Sequence, residues 1–474
     1  MDSFETALAG EPVLRIFARK AHGVAIGDVP DRILHEMKLS VIDNMACMVA
    51  AADLPEVARM VAAERDTEPK EATVVAFGER VSREAAARVN GYMLDVLEVY
   101  DLLGGHASEA VIPTALAMAE ATGATGAQFL EAAIAGIELA GHIMHSYYAD
   151  VRSYEDVAIG PCGIPNAIAC AATAGRLLGL AEAELGEALA IAGSIGAWNG
   201  AETFYGAGGT VKPMMLAGWP PTPGMIGARY AAAGITGPER LLESKFGFLR
   251  SVATGFDYEV LTDASAWIID WASRKRHANC GMMHAALDTI GDLRRECGDE
   301  RLRDARIVHH MSVDVAPLLD KQPRPMTENE ARFDVRYNSA IVLSGVDIVL
   351  PQHCIEFERH LADPAIRELH SHVDVVADDR YQDVMISEVE VRFANGETVH
   401  RVTPPNKGAI GNPLSTEEVV AKFRALVDGR LGADEADRFL DTALHLEDLP
   451  DVMPLLETTR MASLAGTPAG GARG

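Results

Sequence analysis

Much of the first half of this chain repeats one pattern, in which alanine-rich stretches place apolar side chains at helical spacing. Residues 30–52 are typical. There, Ile33, Met37 and Val41 recur every four residues, which places them on one face of a helix. Comparable stretches, each closed by glycine or a polar break, are 83–97, 113–121, 126–143, 165–179 and 183–196. Because alanine lets helices approach closely, the pattern predicts a bundle whose central helices are buried on all sides.

Later in the chain, apolar and polar residues alternate, which is typical of strands. Residues 305–316 and 384–394 follow this pattern, and a further strand is expected near 371–377. Asn395 and Gly396 connect the second stretch to another alternating segment, ETVHRV, which is a strong signature of a β-hairpin. These segments predict a small sheet.

The end of the chain is helical again. Ser415 and Glu418 have the spacing of a capping box, the reciprocal side-chain and backbone bonding that opens a helix. The predicted fold class is therefore mainly α with an inserted α+β domain. The predicted boundaries are a large helical domain made from residues 1–273 and 405–474, and a smaller α+β domain over residues 274–404.

The formal net charge of -27 limits the partners of the protein. An acidic surface repels nucleic acid and anionic membranes, so we expect neither as a partner. A small anionic molecule must instead meet a local cluster of lysine, arginine and histidine side chains.

Cysteine usage and the first residues bear on the compartment. The six cysteines are scattered without a Cys-x-x-Cys pair, which is evidence against a disulfide framework or an iron–sulfur site. The first residues lack the order of a signal peptide, and no uncharged apolar run approaches about 20 residues. We therefore expect a cytoplasmic protein.

The stretch most typical of a reactive site is NGYMLDVLEVYDLLGGHASEAVIP, residues 90–113. Two acids, Glu98 and Asp101, precede a pair of glycines and then His106. We expect a new helix to start at Pro113, since proline favours the first helical position. Glycines let a backbone approach a ligand, a helix N-terminus offers N–H groups to an anion, and imidazole transfers protons near neutral pH. The alternative is a surface turn with a solvated histidine.

A second glycine-rich stretch, GAGGTVK, ends at Lys212. It lacks the GxxxxGK[ST] spacing of a nucleotide-binding loop, because Val211 separates the glycines from Lys212 and Pro213 follows. A lysine at the entry to an apolar helix is still a plausible contact for an anion. The alternative is a solvated lysine at a helix end.

Positive charge is concentrated in SRKRHANCGMMH, residues 273–284, where Lys275 lies between two arginines. The spacing of His277, Cys280 and His284 also resembles part of a zinc site, but the pattern lacks a fourth ligand. We therefore expect no metal, and we interpret the segment as a cluster of cations.

Taken together, these segments resemble the MmgE/PrpD family, whose members include dehydratases, decarboxylases and an epimerase. The matching text is RVNGYMLDVLEVYD, GGHASEAVIPTALAMAEATGATGAQFLEAAIAGIEL, VKPMMLAG, KRHANCGMMH, ARFDVRYNSAIVLSG and NKGAIGNPLSTEEVVAKF, in the family's order. The resemblance implies a large helical domain with an inserted α+β domain, a homodimer, and an active site between the two domains.

The resemblance also implies roles for the residues around the paired glycines. His106 looks like the family's acid–base histidine, although Ala107 follows it where the family has proline. Glu98 and Asp101 lie where the family has an acidic run. Either acid is expected to orient His106 and raise its basicity.

Further along, Lys212 looks like the lysine of the family's KR or KP motif, and Lys275 like the lysine before its YPxC segment. Tyr337 looks like the tyrosine of its FxxxY run. The two lysines, with the neighbouring His277, are expected to bind carboxylates. Tyr337 is expected to donate a proton to a leaving group or to the opposite face of the substrate.

The departures from the family pattern are also informative. Gly160 stands where the family has a histidine, and Met214 and Met215 lie where another histidine is usual. The text around these positions is apolar and includes Trp198 and Trp219. It suggests a substrate that departs from the tricarboxylates.

The expected function is a cofactor-independent lyase, a dehydratase or decarboxylase, that removes a proton next to a carboxylate of a small, polycarboxylate-like substrate. Such reactions pass through a carbanion or enediolate, so the site needs a proton carrier and fixed cations. One alternative is an isomerase or epimerase that uses the same proton chemistry. Another is a binding protein that has lost activity on the same fold.

Overall fold

The structure is a computed structural model that describes residues 3–196, 199–206, 209–263, 265–462 and 464. Helices dominate it. In the N-terminal part they are Ser3–Ala9, Val13–Gly23, Asp31–Ala51, Pro55–Glu64, Arg83–Asp95, Ser108–Thr122, Gly126–Tyr147, Tyr154–Val157, Gly163–Leu177, Glu182–Ile195, Ala201–Tyr205, Pro221–Ala232, Phe248–Val252 and Tyr258–Thr262. Those that follow are His284–Cys297, Asp299–Arg303, Ala316–Leu319, Glu328–Arg332, Val335–Leu343, Pro351–Ile355, Phe357–Ala362, Pro364–Ser371, Thr416–Leu431, Ala433–Leu444 and Met453–Glu457.

The strands form two sheets. The smaller pairs β1, Ala72–Val74, with β2, Glu79–Val81, in a short antiparallel ladder that the sequence analysis did not predict. The larger sheet contains β3 to β6 in the order β4-β3-β5-β6. Its strands are β3, Arg306–Met311; β4, Val373–Ala377; β5, Glu388–Arg392; and β6, Thr398–Val402.

The larger sheet is mixed. β3 runs parallel to β4 and antiparallel to β5, and β5 pairs with β6 from Glu388 opposite Val402 to Arg392 opposite Thr398. Gly396 in the connecting turn has a φ of 87°, a conformation that favours glycine. The predicted hairpin at this turn is therefore confirmed.

Buried apolar residues form two clusters. The first draws on both ends of the chain, from Phe4 to Ala278 and from Leu414 to Met461. The second extends from Cys280 to Phe393 and packs the helices of this segment against the larger sheet. A mainly α protein with an α+β part, as the sequence predicts, is thus confirmed.

Small residues allow the central helices to touch. A Cβ atom at Gly136 would lie 2.3 Å from Thr173 Oγ1 and 2.8 Å from the Ala169 carbonyl oxygen. The helix Gly126–Tyr147 therefore approaches the helix Gly163–Leu177 more closely than any larger side chain at residue 136 permits.

One predicted helix boundary is wrong. The helix expected to start at Pro113 begins at Ser108 and contains Pro113 in its interior. Proline has no N–H, so the Glu109 carbonyl, its partner four residues earlier, receives no helical hydrogen bond from it. The prediction relied on the preference of proline for a first turn, whereas the turn before residue 108 sets the start.

No helix in the part of the chain that the structure describes is long and apolar enough to cross a membrane.

Candidate active site

The segment that follows the helix Arg83–Asp95 presents His106 by means of an unusual backbone. Gly104 and Gly105 have positive φ angles of 61° and 73°, and His106 follows with a φ of 116°. A Cβ atom at Gly104 would lie 2.8 Å from the Ile137 carbonyl oxygen, so only glycine fits there. His106 itself is strained, since a side chain disfavours this region, and such strain is often found at functional residues.

The His106 ring is oriented through Nδ1. This atom lies 3.1 Å from Glu109 Oε1 and 3.4 Å from the Tyr100 hydroxyl. The His106 backbone carbonyl accepts a hydrogen bond from Asn166 Nδ2 at 2.9 Å. The side chain keeps 21% of its surface exposed, and Nε2 has no hydrogen-bond partner among the residues that the structure describes.

Burial, reinforced by the Lys275 ammonium, lowers the pKa of His106 to about 3. The imidazole is therefore neutral at physiological pH, and one of its ring nitrogens carries a lone pair. A neutral imidazole is the form that accepts a proton.

Glu109 lies behind His106, fully buried. Its second oxygen, Oε2, makes no hydrogen bond within the described ranges. Burial raises the pKa of Glu109 to about 8, although Lys212 and Lys275 oppose the shift. The carboxyl group therefore changes its charge near the pH at which enzymes work.

Two buried lysines meet at Glu98. Lys275 Nζ donates to Glu98 Oε1 at 2.7 Å, and Lys212 Nζ donates to Glu98 Oε2 and, at 2.6 Å, to Asp95 Oδ1. Burial alone would raise the pKa of Glu98, but the two ammonium groups lower it. Conversely, burial alone would lower the pKa of Lys212, but Asp95 and Glu98 raise it. Glu98 and Lys212 are therefore both charged at neutral pH.

Asp95 differs from Glu98 in its protonation state. Burial raises the pKa of Asp95 to about 7 against the effect of Lys212. At neutral pH, two ammonium groups therefore face one firmly ionised carboxylate, Glu98, and two carboxyl groups, Asp95 and Glu109, that are close to their midpoints.

Tyr100 connects the lysines to the histidine. Lys275 Nζ lies 4.1 Å from the centroid of the Tyr100 ring, while the hydroxyl of the same side chain faces His106. The negative face of an aromatic ring stabilises a cation without using its N–H groups. We call the seven residues joined by these contacts the His106 cluster: Asp95, Glu98, Tyr100, His106, Glu109, Lys212 and Lys275.

Four residues predicted from the sequence, His106, Glu98, Lys212 and Lys275, belong to this cluster. The other three do not contact it in any described hydrogen bond. Asp101 accepts from Ser108 and, at 3.2 Å, from Asn44. Tyr337 donates to the His353 carbonyl oxygen. His277 Nε2 lies 3.1 Å from Asp288 Oδ1.

Asp95, Tyr100 and Glu109 belong to the cluster but were not predicted from the sequence. The place expected for Glu98 or Asp101, beside the ring of His106, is taken by Glu109. Glu109 follows His106 by three residues, and Asp95 precedes Glu98 by three, so each of these acids is close in sequence to a predicted site residue. That spacing was the available signal.

The two histidines of the segment 273–284 pack against each other. The rings of His277 and His284 lie edge to face, 5.1 Å apart between centroids. Over the described ranges, no group of three or more His, Cys, Asp or Glu is placed to hold a metal ion.

Met215 occupies the space beside Gly160. A Cβ atom at Gly160 would lie 2.9 Å from Met215 Cε, so a histidine there would have to displace the end of this side chain. Trp219 is 40% exposed and makes no described contact with the His106 cluster. Trp198 lies outside the described residues. Among the described residues, the contact that bears on this expectation is the one between Gly160 and Met215.

Comparisons with known proteins find relatives that match along most of the chain. A cis-aconitate decarboxylase of Aspergillus terreus is 25% identical over 467 residues, covering 92% of this chain and 94% of the relative. The cis-aconitate decarboxylase of Homo sapiens is 25% identical over 453 residues, covering 92% of each chain. That of Mus musculus is 25% identical over 463 residues, covering 93% of this chain and 91% of the relative. These relatives support an enzyme of the lyase type.

Two family descriptions cover most of the chain. The MmgE/PrpD N-terminal domain matches residues 15–261, and the MmgE/PrpD C-terminal domain matches residues 277–448. The chain belongs to the MmgE/PrpD family.

Proposed function

We propose that this protein is a cofactor-independent lyase that acts on a small, polycarboxylate-like substrate. It either removes a proton next to a carboxylate and then expels water, or expels carbon dioxide and delivers a proton to the carbanion that remains. The observation that carries the proposal is the juxtaposition of a neutral, partly exposed imidazole with two buried ammonium groups. The first supplies the proton carrier, and the second stabilise the negative charge that develops when the proton leaves.

His106 is the proposed base. Its Nδ1 side is occupied by Glu109 and Tyr100, and its Nε2 side lacks a described partner. Because the imidazole is neutral, Nε2 can hold a lone pair and take the proton directly. Its strained backbone fixes the direction of the ring, which favours one approach of the substrate.

Lys275 is the proposed contact for the substrate carboxylate. An ammonium group has three N–H donors. Among the described residues, Lys275 Nζ uses one of them, on Glu98, and its other close neighbour is an aromatic ring that accepts no conventional hydrogen bond. Two donors are therefore left for an anion. Lys212, which already bonds Asp95 and Glu98, holds Glu98 in place and adds positive charge.

The charge of the cluster fits an anionic ligand. Lys212 and Lys275 carry two positive charges against the one negative charge of Glu98, and an incoming carboxylate favours the protonated form of Asp95. In an otherwise acidic protein, the positive charge at this site lowers the free energy of a bound anionic substrate.

The relatives suggest the first compounds to assay. Cis-aconitate is the substrate named for them, and saturated hydroxy acids with two or three carboxylates extend the series toward dehydration. Purified protein should convert one of these compounds to a product with one fewer carboxylate or with a new double bond. Proton NMR detects either product. The variant His106→Gln should not. Failure of the whole series, with folded protein, would leave the lyase proposal without support and favour a binding protein.

A further inference from the structure

Glu109 makes a contact that the proposed reaction does not yet use. Its Oε1 lies 3.1 Å from His106 Nδ1, and its Oε2 is buried without a hydrogen-bond partner in the described structure. Glu109 lies in the first turn of the helix Ser108–Thr122, so its backbone is fixed and its side chain reaches back over the preceding turn. An unpaired buried carboxylate oxygen costs stability, and here the carboxyl group that carries it lies against the histidine of the proposed reaction.

We propose that Glu109 is a positioning residue that selects the tautomer of His106 and thereby decides whether Nε2 acts as a base or as an acid. This inference rests on the proposed function for its catalytic consequence, but the tautomer itself is a property of the protein alone.

The neutral ring of His106 carries one N–H proton in both states, and only its position differs. When Glu109 is ionised, it accepts the proton on Nδ1, so that Nε2 holds the lone pair and takes a proton from the substrate. When Glu109 is protonated, its O–H donates to Nδ1, so that the ring proton lies on Nε2 and can only be given away. One proton gained by Glu109 therefore moves one ring proton from Nδ1 to Nε2.

Side chains from other elements help to determine the pH at which Glu109 loses its proton. The charged or titratable groups that face it are Lys212, Lys275, Glu98, Asp95, Tyr100 and Cys162. The lysines and the Tyr100 hydroxyl favour the carboxylate, whereas Glu98 and burial oppose it. Burial is the largest of these effects and raises the pKa of Glu109 to about 8. His106, with a pKa of about 3, stays neutral throughout this range.

The sign of the pH dependence follows. Proton abstraction needs the form with ionised Glu109, so the rate constant kcat/KM should rise about tenfold per pH unit below pH 8 and level off above it. If the rate-limiting step were proton donation from Nε2, the same ionisation would give a falling limb.

The test measures the tautomer first. Protein labelled with ¹⁵N-histidine is titrated from about pH 6 to about pH 10, and two-bond and three-bond ¹H–¹⁵N couplings report which ring nitrogen carries the proton. The signal of His106 among the 15 histidines is identified by its loss in His106→Gln. We expect the wild-type ring to change from the Nε2–H to the Nδ1–H form.

Two variants isolate the carboxyl group. In Glu109→Gln the tautomer should be independent of pH, and the rising limb of kcat/KM should vanish. The control is Glu120→Gln, the same substitution near the other end of the same helix, where Glu120 binds Thr73 and Arg80 instead. It should keep both the change of tautomer and the limb.

A His106 tautomer that stays constant with pH in the wild-type protein overturns the inference, whatever the activity. That measurement needs no variant, so poor folding of Glu109→Gln cannot hide the answer. A tautomer that changes as expected, in a protein that converts none of the carboxylates, contradicts the proposed function and leaves the role of Glu109 standing.

Discussion

Two buried groups of charged residues in this protein are similar in composition but differ in how many of their polar atoms have hydrogen-bond partners. The His106 cluster is one. The other, which we call the His142 cluster, consists of Lys20, Glu138 and His142, and its histidine and glutamate lie on the helix Gly126–Tyr147. Ile137 of the same helix touches the turn before His106. Both clusters therefore share one structural support.

Every polar group of the His142 cluster has a partner. Lys20 Nζ contacts Glu138 Oε2 at 3.1 Å, His142 Nε2 at 2.6 Å and the Ala266 carbonyl oxygen at 2.7 Å, which uses all three of its donors. His142 Nδ1 contacts the Val260 carbonyl oxygen at 2.6 Å. Both oxygens of Glu138 accept backbone N–H groups at 3.0 Å, from residues 268 and 269.

The His106 cluster is incomplete by comparison. Asp95 Oδ2 and Glu109 Oε2 have no partner, and Lys275 and the His106 Nε2 atom keep unused capacity within the described structure. A lowered histidine pKa does not separate the clusters, because burial lowers the pKa of His142 to about 4 as well. What separates them is hydrogen bonding. We infer that the closed cluster stabilises the fold and propose that the open one binds the substrate.

The largest effect should come from exchanging the two histidines for glutamine. His106→Gln should lower kcat/KM by about 10²–10⁴-fold, as expected for loss of a general base, with little change in the melting temperature. His142→Gln should do the reverse, lowering the free energy of unfolding by about 1–3 kcal/mol and leaving kcat/KM intact. Activity assays and thermal melts on both variants decide it. Equal losses of activity would remove the distinction between the clusters.

Removal of one carboxylate from each cluster should sharpen the contrast. Glu138→Gln leaves the buried Lys20 ammonium without its charge partner, which should cost about 3–5 kcal/mol of stability. The folded fraction should keep its wild-type kcat. Glu98→Gln should lower both stability and kcat, since Lys212 and Lys275 lose the group that holds them. Denaturant unfolding and single-turnover rates measure the two effects, and an unchanged kcat in Glu98→Gln would contradict the account.

Much of this fold was predictable, and the reasons are local. The helix Asp31–Ala51 follows from the spacing of its apolar residues, and the hairpin of β5 and β6 follows from Asn395 and Gly396. The capping box of Ser415 is also confirmed. Such features depend on near neighbours in the chain, which the sequence displays directly.

The site was predictable only in part, because its contacts join distant segments. Glu98 and Lys275 are separated by 177 positions in the chain, and no spacing rule links them. Resemblance to a family supplied both residues but not the contact between them. The same resemblance drew attention to Glu98 and Asp101 as partners of His106, so that the nearer Glu109 was overlooked. Its role depends on the left-handed turn at His106, which sequence reasoning did not foresee.

A smaller effect should follow from the loss of Lys275. Lys275→Gln removes a charged donor to the substrate carboxylate, which should raise KM by about 10–100-fold, equivalent to about 1.5–3 kcal/mol. Lys38→Gln is the matched control, since Lys38 is buried but bonds Glu447 and the Leu444 carbonyl oxygen. It should change stability and leave KM unchanged. A similar KM for both variants would show that Lys275 does not touch the substrate.

The smallest effect should be that of a chelator. The proposed chemistry uses imidazole and ammonium groups, so prolonged treatment with EDTA should leave kcat/KM unchanged. If activity falls and returns with one divalent metal, the segment with His277, Cys280 and His284 would have to be reconsidered as a ligand source.

The central claim is that the open cluster transfers a proton at His106, and the reaction in D₂O tests it most directly. Proton NMR on the wild-type protein with an accepted carboxylate should show either loss of carbon dioxide with solvent deuterium at the carbon that is protonated, or loss of water with a new double bond. His106→Gln should show neither change, and His142→Gln should match the wild type. Deuterium exchange at the wild-type rate in His106→Gln would contradict the claim. If the substrate exchanges the hydrogen next to its carboxylate and inverts at that carbon, with no shortened or unsaturated product, the protein is an epimerase rather than a lyase.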